Sequence, residues 1–392
     1  MGSFYLLNLG CKVNQYEGQC IREALVKDGQ FLSSTPEMAD LIIINGCAVT
    51  LRAEKKSVSL ALLYKRMGKS VVLTGCAGQA LFNLGKALDG IEIVPQQRKL
   101  EFFQAKEKVS YLLGHHRAFV KLQDGCSFSC SYCYIPKLRG PSRVRDELSI
   151  KEDIQALAQR GYKEIIFTGI CLGWGGQDIV SLARFARSVG IPRVRLSSVE
   201  PCFVSSDIVA GIKDGILCPH LHIPFQSGSD SVLRRMNRGY SSEFYEVLVD
   251  RVRKKIPDVA ISTDIMVGFP GESEVEFTET LSFLEKVRPM RIHVFPYSPR
   301  PGTEAEKMDG QVPNRVKKER VKKVIELGRK LFEEYKERMN GKILKVLVIE
   351  KQGNFWSGIS ENYLRVEFVS SERCLGEIIE VEVDNKVSVE PV

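Results

Sequence analysis

The segment Cys126–Cys133 is the feature that most constrains this chain. Its three cysteines have the spacing C-x3-C-x2-C, and an aromatic residue, Tyr132, precedes the last of them. Thiolate sulfur is the preferred ligand of iron–sulfur clusters and of zinc, and a short spacing lets one loop surround one metal centre. Three ligands instead of four indicate a centre with an open coordination position. The alternative is a closed zinc site completed by His115 or His116.

Length and composition are those of an ordinary globular protein. The 392 residues exceed what one hydrophobic core usually serves, so two to three domains are expected. The sequence contains no run of ~20 apolar residues that could span a bilayer, and its start does not resemble a secretory signal. We therefore expect a cytoplasmic protein with no membrane partner. In a reducing compartment, 11 cysteines favour metal ligation over disulfides.

The first 94 residues repeat one pattern of an apolar segment, a Gly-Cys turn and a helical segment. The predicted strands are Phe4–Leu9, Leu41–Asn45, Val71–Thr74 and, closing the series, Ile91–Val94. Continuous apolar strands that alternate with helices indicate a parallel sheet covered on both faces. The sequence thus predicts a small doubly wound α/β domain.

Three cysteines, Cys11, Cys47 and Cys76, follow the first three of these strands. The carboxyl ends of parallel strands meet at one edge of a sheet, where ligands gather. We therefore expect the three thiols to converge and to form a second three-ligand metal site. The alternative for each is a buried structural cysteine.

From Phe119 onward, strand and helix alternate again. The predicted strands are those at Phe119, Glu164–Thr168, Arg193–Leu196, His220–Ile223, Val259–Ile265 and Arg291–Phe295. Six such units predict a partial (β/α)6 barrel that is open along one side, because a complete (β/α)8 barrel needs ~250 residues. Four residues after the strands are expected to point into an active site: Gly169, Glu200, Gln226 and Asp264. The alternative is that these polar residues tie loops together.

The remaining segments are predicted to connect or to bind. Residues 95–116 form a polar connection between domains, a charged helix runs from Asn314 to Met339, and residues 342–392 form a small antiparallel β-barrel. The aromatic and basic residues there that could bind RNA are Phe355, Trp356, Tyr363, Lys345, Lys351 and Arg365. A net charge of +8 permits an anionic partner. Core aromatics and a solvated basic surface are the alternatives.

The loop Cys126–Cys133 resembles the signature of the radical S-adenosylmethionine enzymes. The resemblance implies that the open iron is chelated by the amino and carboxylate groups of S-adenosylmethionine. One-electron reduction then releases a 5′-deoxyadenosyl radical. It also implies that Tyr132 lies near the adenine of the cofactor.

The whole chain is similar to the methylthiotransferases within that group. The matching stretches are 9–17, 45–50, 73–76, 121–126, 221–229, 264–272 and 297–303. The resemblance implies an N-terminal methylthiotransferase domain (1–95), a radical domain (112–305), a connecting helix (306–340) and a TRAM-like RNA-binding domain (341–392).

The segment Lys12–Glu17 resembles the branch that acts on N6-threonylcarbamoyladenosine in tRNA. This implies methylthiolation of C2 of that nucleoside at position 37 of the anticodon loop. The branch for isopentenyladenosine usually has Gln-Met-Asn after the cysteine, and the branch for a ribosomal-protein aspartate has Pro-Lys-Asn; both substrates are alternatives. A non-catalytic iron–sulfur protein that binds RNA or transfers electrons is the alternative from another class.

The resemblance also implies the ligands and the partners. Two [4Fe-4S] clusters are held by Cys126, Cys130 and Cys133 and, as an auxiliary centre, by Cys11, Cys47 and Cys76. Cofactor contacts are expected from Tyr132, Gly169, Glu200, Gln226 and Asp264. The expected partners are the tRNA anticodon loop and a reductant such as flavodoxin or ferredoxin, and the chain is expected to be a monomer. Cys171 departs from the usual residue in its loop and is interpreted as a free thiol.

Overall fold

A computed structural model of the chain describes residues 2–370, 374–383 and 388–392. Its amino-terminal part is a parallel five-stranded sheet of order β2-β1-β3-β4-β5. The elements are β1 (Ser3–Asn8), α1 (Lys12–Lys27), β2 (Phe31–Leu32), β3 (Leu41–Gly46), α2 (Leu51–Arg66), β4 (Ser70–Thr74), α3 (Gly75–Asn83), β5 (Glu92–Ile93) and α4 (Lys99–Phe102). The four predicted strands are present, and β2 is an addition.

Alternate side chains of the central strand β3 face opposite sides of this sheet. Ile42 and Ile44 pack in the cluster that contains Ala61 of α2. Ile43 packs in the cluster that contains Ile21 of α1. Burial on both faces explains why the strand is a continuous apolar run, as a doubly wound sheet requires.

The central part contains six parallel strands in chain order. One sheet has the order β10-β9-β6 and another β11-β12-β13, and a parallel bridge between Ser198 and His222 joins them. The elements are β6 (Arg117–Lys121), β7 (Gln123–Asp124), α5 (Ile135–Arg139), β8 (Arg143–Val144), α6 (Glu147–Gln159), β9 (Glu164–Thr168), α7 (Ile179–Ser188), β10 (Arg193–Leu196), α8 (Ser206–Lys213), β11 (His220–His222), α9 (Asp230–Arg235), α10 (Ser242–Lys255), β12 (Ala260–Val267), α11 (Glu274–Val287) and β13 (Arg291–Pro296). The predicted partial barrel is confirmed.

Helix α1 is shared between the first sheet and the barrel. Its residues Tyr16 and Cys20 belong to the hydrophobic core of the barrel. The Tyr16 hydroxyl donates a 2.6 Å hydrogen bond to Asp153 of α6. The segment 95–116 lies between these units as predicted, but it is not merely a solvated linker, because Lys99 is only 1% exposed. The two units therefore share one buried interface.

The carboxyl-terminal part is the predicted helix followed by an antiparallel sheet of order β17-β14-β15-β16-β18. The elements are α12 (Asn314–Met339), β14 (Ile343–Gln352), β15 (Phe355–Ser360), β16 (Leu364–Val369), β17 (Ile378–Glu382) and β18 (Ser388–Pro391). In the described ranges, no helix is long and apolar enough to cross a membrane.

The aromatic residues predicted to stack on RNA have different surroundings. Trp356 is 3% exposed and donates its Nε1 hydrogen to the carbonyl of Ser370, so it is a core residue. Tyr363 packs against the barrel, with its ring centroid 4.4 Å from that of His220. Only Phe355 remains well exposed, at 59%. The alternative of core aromatics is therefore confirmed for Trp356 and Tyr363.

The turn between β15 and β16 docks on the amino-terminal ends of the barrel strands. Arg195 donates from Nη2 to the carbonyl of Ser360 and from Nη1 to that of Glu361, both at 2.9 Å. Its guanidinium carbon lies 4.6 Å from the ring centroid of Tyr363. Glu164 holds this arginine in place through a 3.0 Å ion pair. The carboxyl-terminal sheet thus covers the end of the barrel at which its strands begin, here called the lower end.

Glu164→Gln is expected to weaken this docking. Burial opposes ionisation of Glu164, but three neighbouring arginines outweigh it and lower its pKa to about 2. A depressed pKa contributes stability that is present above the unfolded-state value and lost as pH falls through the folded value. The substitution should therefore cost about 3 kcal/mol at pH 7, and less as pH falls toward 3.

Urea unfolding at pH 7, 5 and 3.5 measures this difference. Glu326→Gln, an exposed change on α12, is the matched control and should leave the midpoint unchanged. An equal loss for Glu164→Gln at all three pH values would contradict the electrostatic explanation.

Candidate metal and cofactor site

The loop that carries Cys126, Cys130 and Cys133 connects β7 to α5. Gly125, which begins it, has φ +70°, and a Cβ there would lie 2.1 Å from the carbonyl oxygen of Pro141. Only glycine therefore fits before the first cysteine. The loop backbone is fixed at both ends, because Cys126 N–H donates to Gly140 at 3.1 Å and Ser131 N–H to Met236 at 3.0 Å.

The three thiols differ in their surroundings. Cys126 accepts a hydrogen bond from the Cys171 thiol, which lowers the pKa of Cys126 to about 7. Burial raises the pKa of Cys133 to about 12. Burial raises the pKa of Cys130. Arg238 Nη1 lies 3.7 Å from Cys130 Sγ, and its positive charge acts to lower that pKa. Cys171 is therefore a free thiol, as predicted, and a direct neighbour of the loop.

Two of the predicted cofactor contacts, Glu200 and Gln226, differ in whether their side chains have a hydrogen-bond partner in the protein. The carboxylate of Glu200 is held by Arg238, with contacts of 3.1 and 2.6 Å. Gln226 has φ +69°, which is uncommon for a residue other than glycine. Its Oε1 is buried without a hydrogen-bond partner among the described residues. A strained backbone and an unsatisfied buried amide are typical of a ligand contact.

Asp264 lies on β12 beside Gln226, whose backbone N–H donates to the Asp264 carbonyl at 2.8 Å. Its side chain is 3.2 Å from Nε2 of His222. Burial acts to raise the pKa of Asp264, but the hydrogen bond from His222 and the nearby positive charges bring it below its ordinary value. Asp264 is therefore an anion inside the barrel, and His222 is its partner.

Tyr132 and Gly169 complete the predicted set. Tyr132 meets the ring of Phe269 edge-on, with centroids 6.4 Å apart, and burial raises its pKa well above the ordinary value. It is thus a neutral, oriented ring beside the cysteine loop. Gly169 directly follows β9, and a Cβ there would lie 2.9 Å from Oε1 of Gln123. Gly169 makes room for that side chain, which accepts a hydrogen bond from the Cys171 backbone at 2.8 Å.

The structure brings the three amino-terminal cysteines to one edge of the first sheet. Asn8, Asn45 and Thr74 are aligned across β1, β3 and β4, and Cys11, Cys47 and Cys76 each follow within a few residues. Adjacent strands lie about 4.8 Å apart, so the three thiols share one rim. Burial raises the pKa of Cys47, and the charges of the other two thiols raise it further. Gly75, with φ +73°, delivers Cys76.

A buried charge cluster links the two sets of cysteines. Its centre is Glu17 of α1, whose side chain is 2% exposed. The carboxylate is paired with Lys99, with Lys121 at 2.8 Å and with Arg139 at 3.1 Å. Asp124, two residues before Cys126, accepts from Lys121 and Arg139, each at 2.8 Å. Burial acts to raise the pKa of Glu17, but the three cations hold it well below its ordinary value.

Arg139 lies between the two sites. Its positive charge opposes the effect of burial, which raises the pKa of the Cys76 thiol, and its Nη1 donates to Asp124, two residues before Cys126, at 2.8 Å. The next residue, Gly140, accepts the backbone hydrogen bond of Cys126. Neither Arg139 nor Arg238 was predicted to contact a thiol, since nothing in the sequence distinguishes them from surface arginines. The close spacing of Asp124, Cys126 and Arg139 is the one available signal.

The zinc alternative has no support in the structure. His115 precedes β6, whereas the cysteine loop follows its carboxyl end, about 16 Å away for a five-residue strand. Across residues 2–370, 374–383 and 388–392, no group of three His, Cys, Asp or Glu side chains converges to hold a single metal ion. An iron–sulfur cluster does not need such convergence, because each thiolate binds a different iron.

Comparison with known proteins first identifies the class. Residues 120–284 match the model of the Radical SAM superfamily, and residues 3–90 match the "Uncharacterized protein family UPF0004". The fold is similar to that of the radical S-adenosylmethionine methyltransferase TsrM from Kitasatospora setae, with a TM-score of 0.56, 12% identity and coverage of 78% of this chain and 77% of that one. The chain is thus a radical S-adenosylmethionine enzyme, and this class implies a [4Fe-4S] cluster and S-adenosylmethionine as cofactors.

Similar sequences then define the family. The chain is 39% identical to threonylcarbamoyladenosine tRNA methylthiotransferase MtaB of Thermotoga maritima, over 95% of this chain and 92% of the relative. The enzyme of the same name from Bacillus subtilis is 33% identical, over 96% and 92%. The tRNA-2-methylthio-N(6)-dimethylallyladenosine synthase of Clostridium tetani is 32% identical, over 99% and 95%. The chain therefore belongs to the methylthiotransferase family and is a transferase.

Glu17→Gln is expected to destabilise the interface between the two sites. The amide preserves volume but leaves three buried cations with only Asp124 and Glu107 as counter-charges. Breaking a buried ion pair from one side costs about 3–5 kcal/mol. Urea unfolding at pH 7 measures the loss, with the exposed Glu37→Gln as control. A midpoint equal to that of the control would show that the cluster contributes nothing to stability.

Proposed function

We propose that this chain transfers a methylthio group to C2 of N6-threonylcarbamoyladenosine at position 37 of tRNA. The names of the relatives with 33–39% identity support the substrate. The observation that carries the proposal is the joint placement of two three-cysteine sets, linked through Arg139 and the Glu17 cluster. One set accounts for radical formation, and the second set accounts for the delivery of sulfur.

The donor sets fit two [4Fe-4S] clusters. Three thiols of one loop and the unpartnered Oε1 of Gln226 suit a cluster and an S-adenosylmethionine. We assign Cys126, Cys130 and Cys133 to that cluster, and Cys11, Cys47 and Cys76 to an auxiliary cluster. When bound, the first cluster and S-adenosylmethionine supply the one-electron chemistry that an unactivated aromatic C2–H bond requires.

The contribution of the protein is to orient the reactants and to exclude water. Tyr132 offers a ring for the adenine of the cofactor, and Gln226 and Glu200 offer polar groups at the ends of strands. Arg139 and Glu17 fix the position of one thiol set relative to the other, because both residues are buried and are paired with charged groups from both parts of the structure. A fixed geometry of this kind supplies a large part of enzymatic rate enhancement.

The remaining assignments complete the proposal. The units are residues 1–95, 112–305, 306–340 and 341–392, with the last acting as a TRAM-like RNA-binding domain. The enzyme acts in the cytoplasm as a monomer on the tRNA anticodon loop. A small electron-transfer protein such as flavodoxin or ferredoxin supplies the electrons.

Nucleoside mass spectrometry tests the substrate. A strain that lacks the gene should lose 2-methylthio-N6-threonylcarbamoyladenosine from its tRNA, and a plasmid copy should restore it. The 2-methylthio form of isopentenyladenosine serves as the internal control and should not change. Loss of the control nucleoside alone would assign the chain to the dimethylallyladenosine group of relatives.

Cys47→Ala and Cys126→Ala should separate the two sites. In anaerobically reconstituted protein, each change should lower iron from about eight to about four atoms per chain. Cys47→Ala should still cleave S-adenosylmethionine to 5′-deoxyadenosine but form no methylthio product, whereas Cys126→Ala should do neither. Cys202→Ala, an exposed cysteine outside both sets, is the control. Eight irons in Cys47→Ala would refute the auxiliary site.

A further inference from the structure

Two cations that act on the interior of the barrel have no acidic partner among the described residues. They are Lys12, the first residue of α1, and Arg291, the first residue of β13. Within the described part of the chain, neither side chain makes an ion pair or a hydrogen bond to protein, and Nη1 of Arg291 is buried without a partner. Most other cations near the cysteine sites are paired with carboxylates, so this pair stands apart.

The register of the barrel strands directs Arg291 into the interior. Arg291 lies beside Ser262, and His293 lies beside Asp264 one layer higher. The intervening Ile292 packs outward against the hydrophobic core. Because side chains alternate along a strand, Arg291 and His293 face the interior. The ring centroid of His293 is 5.6 Å from that of His222, which confirms this orientation.

The charge of Lys12 acts on the same interior. Burial acts to raise the pKa of Tyr363, but Lys12, more than any other cation, brings it below its ordinary value. The same ammonium acts on Asp264 and His293, which lie on two barrel strands. Lys12 directly follows Cys11, so this charge is next to the auxiliary thiol set in the chain.

The other groups that face this space do not neutralise the charges of the two cations. The carboxylate of Asp264 is already paired with Nε2 of His222, at 3.2 Å. Burial and the charge of Arg291 lower the pKa of His293 to about 4, so this ring is neutral at pH 7. Tyr363 closes the lower end with a ring that contacts Arg195. The interior therefore carries positive charge that an anion from outside the protein would neutralise.

The names of the two groups of relatives point to one such anion. A threonylcarbamoyl group ends in a carboxylate, whereas a dimethylallyl group is a hydrocarbon. Both are attached to N6 of adenine, and only the ring atom N1 separates C6 from the reacting C2. When C2 faces the thiol sets at the carboxyl ends of the strands, the N6 substituent extends into the barrel interior, toward Lys12 and Arg291.

We propose that Lys12 and Arg291 bind the threonyl carboxylate of the substrate and thereby select it over a dimethylallyl substrate. This inference rests on the proposed function and adds the residues that determine specificity. A carboxylate paired with both cations forms charge-assisted hydrogen bonds, which are stronger than neutral ones. A hydrocarbon in the same place would leave two desolvated charges unpaired, which disfavours the wrong substrate.

The test compares two anticodon stem-loop RNAs that differ in one charge. One carries N6-threonylcarbamoyladenosine at position 37, and the other carries its methyl ester. With the reconstituted full-length enzyme, kcat/KM and the Kd from fluorescence anisotropy are measured for both. We expect the wild type to prefer the acid by about 10- to 100-fold, as a hydrogen bond to a charged group implies.

Variants then assign this preference to residues. Lys12→Gln and Arg291→Gln should each lose most of the preference for the acid while the ester reacts at nearly the wild-type rate. Lys12→Arg should retain it. Lys27→Gln, an exposed change at the other end of α1, is the control. Iron content, and 5′-deoxyadenosine formed without RNA at varied S-adenosylmethionine, check that the variants are intact.

Each result supports or overturns the inference. Equal use of acid and ester by the wild type overturns it, and this measurement needs no variant to fold. An acid preference that persists in both Gln variants also overturns it. A raised KM for S-adenosylmethionine with unchanged RNA selectivity would assign the cations to the cofactor carboxylate instead. If the wild type modifies neither RNA but modifies a dimethylallyladenosine RNA, the proposed function itself fails.

Discussion

The buried carboxylate of Glu17 is the interaction on which the arrangement of this molecule depends. It lies on α1, which begins directly after Cys11. Its partners come from the connecting segment, from the first barrel strand and from the helix after the cysteine loop. Ion pairs exposed to water add little to stability. A buried carboxylate that is enclosed by three cations cannot exchange them for water, so removing it is costly. The positions of both thiol sets therefore depend on one side chain, and neither site is independent of the other.

The ends of the barrel are used differently. The carboxyl ends of its strands carry the cysteine loop, Glu200 and Gln226, as expected for parallel α/β folds. The amino ends are covered by the turn around Tyr363, which is held by Arg195 through two carbonyl groups. The carboxyl-terminal sheet is therefore part of the barrel enclosure in addition to its proposed contact with RNA. Of its aromatic residues, Tyr363 packs against the barrel and Trp356 packs in the core of the sheet itself.

Much of the fold could be predicted from the sequence because a strand that is buried on both faces is a continuous run of apolar residues. Apolar runs such as Leu41–Gly46 mark parallel strands, and the positions of Cys11, Cys47 and Cys76 after them imply a shared rim. The two-residue strand β2 leaves no periodic pattern and was missed. Arg139, Arg238 and Lys99 were missed for another reason. A sequence does not reveal which charged residues are buried, since that depends on partners distant in the chain.

Helix α1 contributes Tyr16 and Cys20 to the core of a unit that begins about a hundred residues later. This has a consequence for how such proteins can evolve. Recombination between genes usually exchanges segments that fold alone, yet a break after the first sheet would remove part of the barrel's own interior. A chain that lost the first sheet would therefore also have to refill the space that Tyr16 and Cys20 occupy in the barrel.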